Sequence, residues 1–437
     1  RINYGFKSRY YIDASWRTDG SSRFHPSDRW GHFWSVGASW RISEEQFMEN
    51  TRQWLDNLTL KVSYGVQGND NLGTYYAWQG LYDYTWPNAT DAGAFVDKLE
   101  NRKVTWEKNG NLNAGIEATM FGGRLGVSVE YYNRKTRDML LNSPLPISTG
   151  FTGFNDNVGS LRNQGLEVSL RGTILDKRDF RWDATLMGSF NRNKVLSLTG
   201  GQDVITSGIR VIEVGRPIYT FYLPKTAGVD PATGKQLYYA YWTQTVNDEG
   251  ALVNTRCDEY ITDNVAMATL SKYYHESREP KLFGSIGSTF TILKNIDVSF
   301  LTTYSIGGWV YDGLYNGSMY VQYAGNNWHK NAKRRWQKPG DKTDVPMLEV
   351  GGSYATASNS LIDASYFAIK NITVGYTLPK RWLKKIDIES LRIYATLDNI
   401  AMFNHMDGMD PQYNFTGSVA YSYTPSRVIA FGIDLNF

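Results

Sequence analysis

The sequence predicts an all-β fold, a transmembrane antiparallel β-barrel, and three observations carry that prediction. Segments of about ten residues alternate apolar and polar side chains with a period of two, the strand signal. The connections between these segments alternate between short and long. The composition holds 41 Gly, 30 Tyr and 14 Trp, which suits a barrel or a large lectin-like sandwich. No window approaches the roughly 18 continuous apolar residues of a membrane-spanning helix.

Each element is justified by its alternation. Arg1 opens in material that already alternates. In Asn111–Met120, Leu112, Ala114, Ile116 and Ala118 oppose Asn111, Asn113, Gly115, Glu117 and Thr119. Arg124–Tyr132 sets Leu125, Val127, Val129 and Tyr131 against Gly126, Ser128, Glu130 and Tyr132. Gly165–Arg171, Trp182–Asn191, Asn295–Ile306 and Leu391–Asn399 repeat the pattern. The chain ends on Ile429, Phe431, Ile433, Leu435 and Phe437, all of one parity.

Alternation alone does not separate a soluble sandwich from a membrane barrel, in which the apolar face meets lipid and the polar face the lumen. Connection lengths do. Short links fall at Lys7–Arg9, Phe121–Gly123, Ile174–Phe180, Leu293–Asn295 and Pro379–Ile386. Long ones fall at 19–29 and near 67–105, 135–158, 195–280, 311–361 and 401–424, and are expected to be extracellular. A medium link, Ser43–Asn57, reads as a short helix whose capping box pairs Ser43 with Gln46. Short turns at one end and long loops at the other mark an outer-membrane barrel. About thirteen strands result, whereas single-chain bacterial barrels have even numbers. The expectation is therefore the C-terminal part of a larger barrel.

The charge balance, 46 Lys+Arg against 43 Asp+Glu, gives +3, too near neutrality for a nucleic-acid binder. The single Cys257 excludes an intrachain disulfide and argues against a cysteine-based zinc site. His25, His32, His275, His329 and His405 lie far apart, with no metal-ligand spacing among them. Gly228–Lys235 has one spacer residue too many for a phosphate loop, and Gln236 stands where Ser or Thr is required. Its "DPATGK" reads as a β-turn. Asp407 and Asp410 read as a solvated loop without further calcium ligands, and Lys333–Arg335 with Trp336 as a loop or partner contact. No catalytic residue, metal or cofactor is expected: the protein is read as a non-enzyme.

Ordered motifs then carry a resemblance. "YYIDASWRTDGSSRF" (Tyr10–Phe24) and "RWGHFWSVGASWRISEE" (Arg29–Glu45) are followed by "LKVSYGVQGN", "YYNRKTRDML" and "VGSLRNQGLEVSL". "VGRPIYTFY", "AGVDPATGK", "YFAIKNITVGYTLP" and "DNIAMFNHMDGMDPQ" come next, before the terminal strand. This series resembles the SusC/RagA-type TonB-dependent transporters over nearly the whole chain. The resemblance implies a 22-stranded barrel of the Gram-negative outer membrane, plugged by an N-terminal domain. It also implies import of oligosaccharides or peptides under a SusD-like surface lipoprotein, energised by the TonB complex. The TonB box, plug and first strands of that pattern are absent from these residues. Phe431, Ile433, Leu435 and Phe437 would form the barrel's assembly signal, the first three facing outer-membrane lipid.

Aromatic clusters in the long loops are the candidate binding groups: Trp78, Tyr82 and Trp86; Tyr239, Tyr241 and Trp242; and Trp328 at the end of "MYVQYAGNNW". Flat rings flanked by hydrogen-bonding groups suit stacking on sugar, and Gln236 and Gln244 flank the second cluster. Strand alternation would put Tyr239 and Tyr241 on one face of "YYAYW". The expected cargo is a glycan, with peptide as the alternative within the family and a secreted soluble carbohydrate-binding β-protein as the alternative outside it.

Overall fold

The computed structural model describes every residue except 88, 92, 199–202, 320–326, 350, 351, 353, 384–387, 407, 414 and 420–422. Its main body is a 13-stranded sheet in which each strand pairs with the next along the chain. The strands are β1 (Ile2–Phe6), β2 (Tyr10–Gly20), β3 (Trp30–Arg41), β4 (Leu55–Asn69) and β5 (Glu107–Met120). They continue as β6 (Leu125–Arg137), β7 (Ser160–Lys177), β8 (Phe180–Ser197) and β9 (Leu282–Ile292). Last come β10 (Ile296–Ile306), β11 (Tyr366–Thr377), β12 (Ser390–Asn404) and β13 (Val428–Asn436). All twelve pairings are antiparallel.

Connections after the odd strands are 7–9, 42–54, 121–124, 178–179, 293–295 and 378–389. Those after the even strands are 21–29, 70–106, 138–159, 198–281, 307–365 and 405–427. One end of the sheet thus carries turns and the other carries long insertions. The medium connection of the sequence reading falls in the turn series. It holds two 3₁₀ turns, Ile42–Glu44 and Gln46–Thr51, neither with a side-chain cap. The expected capping box does not form: Ser43 lies inside the first turn, with its hydroxyl buried and unpartnered. Ile174 is likewise not in a link, since β7 runs to Lys177 and only Arg178 and Asp179 turn.

Register exposes the two faces. Leu175, Trp182, Phe290, Val298, Val374, Ala395 and Phe431 lie opposite one another in succession from β7 to β13. A second row runs Phe6, Tyr10, Trp40, Leu60, Ile116, Val129 and Val168 from β1 to β7. Large apolar side chains of this face, Val36, Val62, Leu186 and Ile433 among them, are exposed. The opposite face is polar and cross-linked. Ser15 and Ser35 share a hydrogen bond of 2.7 Å, and Arg134 Nε donates to Asn111 Oδ1 at 2.7 Å. Arg392 pairs with Asp297 at 2.7 Å and with Asp434 at 3.1 Å. Arg392 crosses Gly375, where a Cβ would fall 2.5 Å from its guanidinium, and Tyr394 covers Gly432 in the same way.

The buried apolar cores lie chiefly in the insertions. Phe24, Val104 and Trp106 pack with Phe33 of β3. Val310, Ala364, Met406, Met409 and Val419 form another cluster, and Phe221, Leu223 and Tyr311 a third. A sheet with one apolar face exposed and its cores among the loops has the partition of a membrane barrel: lipid outside, polar lumen inside.

Candidate functional site

The longest insertion, 198–281, is a folded unit rather than the structureless loop its length suggested. Val204–Ser207, Arg210–Glu213, Thr220–Pro224 and Lys272–Ser277 form one sheet. Thr226–Val229, Gln236–Val246 and Leu252–Thr262 form another, and a short helix, Val265–Leu270, packs on the latter. Insertion 307–365 docks against this unit. Tyr238 is buried and its hydroxyl accepts from Ala355 N at 3.1 Å.

The predicted "DPATGK" turn forms, with Gly234 at φ +73°. The Thr233 hydroxyl and then Ala232 N donate to the Asp230 carboxylate and hold it below the usual carboxylate range. The Trp336 ring packs so closely over Gly234 that a Cβ there would collide with it. Its Nε1 donates to Pro231 O at 2.9 Å, and Met347 N donates to Gly234 O at 2.7 Å. Trp336 therefore clasps the two longest insertions together. Trp336→Ala is expected to cost about 2 kcal/mol of local stability, below the roughly 3–5 kcal/mol of a fully buried Trp because the ring is only half-buried. Limited proteolysis should show faster cutting between residues 327 and 349, with the barrel itself uncut.

Where the two insertions meet, a cavity of about 590 Å³ is lined by Arg216, Tyr274, His275, Glu276, Ser277 and Trp309, among others. The Arg216 guanidinium sits 3.8 Å from the Tyr274 ring centre and pairs with Glu213 at 2.7 Å. Burial lowers the pKa of His275, which favours the neutral ring at neutral pH, and its Nε2 lies 3.2 Å from Leu223 O. Below the insertions, on the polar face of the sheet, Asp13, Lys61, Ser63, Glu117, Ser128 and Glu130 help to line a recess of about 290 Å³. Such a surface offers hydrogen bonds and both signs of charge.

The predicted aromatic residues divide into tied and exposed groups. A β-bulge between Ala240 and Trp242 breaks the simple alternation expected of "YYAYW". Tyr241 N and Trp242 N both donate to the buried Ser271 hydroxyl. The Tyr241 hydroxyl donates to Lys272 O at 2.6 Å, and burial pushes its pKa up to about 12. Lys225 lies 4.4 Å from the Tyr239 ring and Arg256 5.2 Å from the Tyr241 ring. Gln236 is buried and donates to Gly228 O, so it is no flanking ligand group; Gln244 is exposed. Trp78 is half-buried against the Phe24 cluster and edge-on to His25. Tyr82 and Trp86 stand exposed, as does Trp328. Most of "MYVQYAGNNW", and Asp407, lie outside the described residues. The cavity residues Arg216, Tyr274 and Trp309 escaped the sequence reading because no local pattern joins positions nearly a hundred residues apart. Among the described residues, no group of three or more His, Cys, Asp or Glu stands together to hold a metal.

This architecture defines an outer-membrane β-barrel with an elaborated loop end. The profile described as "TonB dependent receptor-like, beta-barrel" matches residues 1–400, and the chain belongs to that family, within which it is of the SusC/RagA type. It is 29% identical to TonB-dependent receptor P26 of Formosa agariphila over 470 residues, covering all of this chain and 45% of that protein. It is 28% identical to TonB-dependent receptor SusC of Bacteroides thetaiotaomicron over 452 residues, covering 43% of it. The structure of the RagAB peptide transporter superposes over the whole chain with a TM-score of 0.84 and 29% identity, 47% of that chain being covered. The chain spans a little under half the length of the curated relatives it matches.

Proposed function

We propose that the complete protein is a TonB-energised nutrient importer that works with a SusD-like surface lipoprotein, and that its cargo is peptide. The long-loop end would be extracellular, with the folded insertions 198–281 and 307–365 forming the surface on which cargo and lipoprotein meet. The observation that carries the peptide reading is the cavity between them. It presents the Arg216 cation, the Glu276 carboxylate and the neutral His275 around a space of about 590 Å³. Opposite charges around one cleft suit a zwitterionic chain better than a neutral sugar. The likeness to the RagAB peptide transporter points the same way.

The glycan preference of the sequence rested mainly on Tyr239 and Tyr241. Cations lie over both rings, and the Tyr241 hydroxyl is tied to the backbone. An oligosaccharide remains the second reading because Tyr82 and Trp86 are exposed flat rings, Trp86 being edge-on to Phe95.

The test compares uptake of labelled peptide and oligosaccharide mixtures by the complete transporter and by two variants. Arg216→Gln with Glu276→Gln is expected to lower peptide uptake about thirtyfold or more, as two charge-assisted contacts at about 1–2 kcal/mol each imply. Tyr82→Ala with Trp86→Ala should leave peptide uptake unchanged. Loss of oligosaccharide uptake in the aromatic variant, with no peptide taken up by the wild type, would overturn the peptide assignment.

A further inference from the structure

Above the lipid band of β6, β7 and β8, the outward face changes abruptly in chemistry. The last apolar row there is Tyr131, Leu166 and Phe190, mutually opposite and all exposed. Two residues further toward the long-loop end, the same face carries Asn133, Gln164 and Arg192. Two residues beyond those it carries Lys135, Arg162 and Lys194, again mutually opposite, and then Arg137 beside Ser160.

The direction of these side chains follows from their neighbours on the other face. Arg134 bonds Asn111, Asn193 Nδ2 donates to Asn163, and Tyr132 Oη donates to Asn191, all across the lumen-side face. Lys135, Arg162, Arg192 and Lys194 alternate with these residues and so point outward. No outward position of these three strands beyond the apolar row carries Asp or Glu. Among the described residues, none of the five cations forms an ion pair.

Like charges set directly opposite in a sheet repel and destabilise it, so this array calls for an anionic counterpart. Its depth says which. Strands tilted at about 40° and rising about 3.4 Å per residue put Arg192 roughly 5 Å, Lys135, Arg162 and Lys194 roughly 10 Å and Arg137 roughly 16 Å above the apolar boundary, from the headgroup layer to just outside it. A lid over the lumen would not reach this outward surface. We propose that the five cations form a binding site for the phosphate groups of a phosphorylated glycolipid in the outer leaflet. Arg162 sits at the centre, where its guanidinium can hold a phosphate in two-pronged fashion, with Lys135 and Lys194 flanking it as point charges.

The experiment uses the complete transporter in dodecyl maltoside and measures binding of phosphorylated lipid A, the same lipid A after enzymatic dephosphorylation, and inorganic phosphate. Phosphorylated lipid A is expected to bind in a salt-sensitive manner and to raise the melting midpoint, while the dephosphorylated lipid does neither. The triple variant Lys135→Gln, Arg162→Gln, Lys194→Gln should lose about a hundredfold in affinity, and Arg162→Gln alone about fivefold, from the usual contribution of one basic residue near an anionic surface. Arg162→Lys with Lys135→Arg should stay within about threefold of wild type. If the triple variant does not assemble, the single variants decide. Equal binding of the two lipids, or of wild type and Arg162→Gln, overturns the proposal. Full protection by inorganic phosphate at equal phosphate concentration would reduce the site to a general anion site. Loss of lipoprotein co-purification with lipid binding unchanged would make it a protein contact.

Discussion

Val127→Arg is expected to lower the amount of assembled, heat-modifiable barrel sharply, while Ser128→Arg leaves most of it in place. The two positions are neighbours in β6 with opposite surroundings. Val127 lies opposite Ala118 and Leu170, and Leu170 leads on to Leu186 and Ile286, in the apolar band that ends at Tyr131. An arginine there loses hydration in the hydrocarbon at roughly 2–4 kcal/mol near the midplane. Ser128 lies opposite Glu117 and Ser169 and lines the recess that also holds Glu117 and Glu130. An arginine at 128 remains hydrated and gains two carboxylates as neighbours. The measurement is the heat-modifiable fraction in outer membranes by gel shift. Equal losses, or the reverse order, would exchange the faces and return the fold to a soluble sandwich.

Phe437→Asp is the second large effect expected: a severalfold drop in assembled protein, with normal synthesis. β13 sets Ile429, Phe431, Ile433 and Leu435 outward against Leu397, Ala395, Ile393 and Leu391 of β12. Phe437 continues that parity one residue past the strand and is 86% exposed. A side chain that contributes so little to packing within the chain has little stability to lose. A defect would therefore report on recognition by the insertion machinery, for which we propose Phe431, Ile433, Leu435 and Phe437 as the signal. Phe437→Tyr separates the two causes, because it keeps the aromatic ring and is expected to assemble normally. Normal levels of membrane-embedded Phe437→Asp would remove these four residues from that role.

The barrel was legible because each of its strands announces itself locally. A period of two needs only the covalent alternation of side chains, so Arg124–Tyr132 and Leu391–Asn399 declare both their conformation and their two faces. Turn chemistry is equally local, and "DPATGK" folds as its Pro and Gly predict. The failures are also local in origin. The Ser43 and Gln46 pattern matched a helix cap, but the chain between β3 and β4 spans the gap with two 3₁₀ turns that leave the Ser43 hydroxyl unpaired.

The loop end was decided by contacts that sequence spacing does not encode. Tyr238, Tyr239 and Tyr241 look alike in the sequence as candidate ligand rings. The fold buries Tyr238 under Ala355, places Lys225 over Tyr239 and bonds Tyr241 to Lys272. Arg216, Tyr274 and Trp309 meet around one cavity although they come from two insertions. By itself, then, the sequence determined a membrane barrel, the number of its strands in this chain and the side that faces lipid. The tertiary structure alone decided which aromatics remain exposed, where the insertions enclose a cavity, and that five scattered Lys and Arg residues form one outward patch. The physical reason is range: alternation and turns arise from bonds and neighbours a few residues apart. Burial and charge clustering depend on distances between residues that only the paired register and packed insertions bring together.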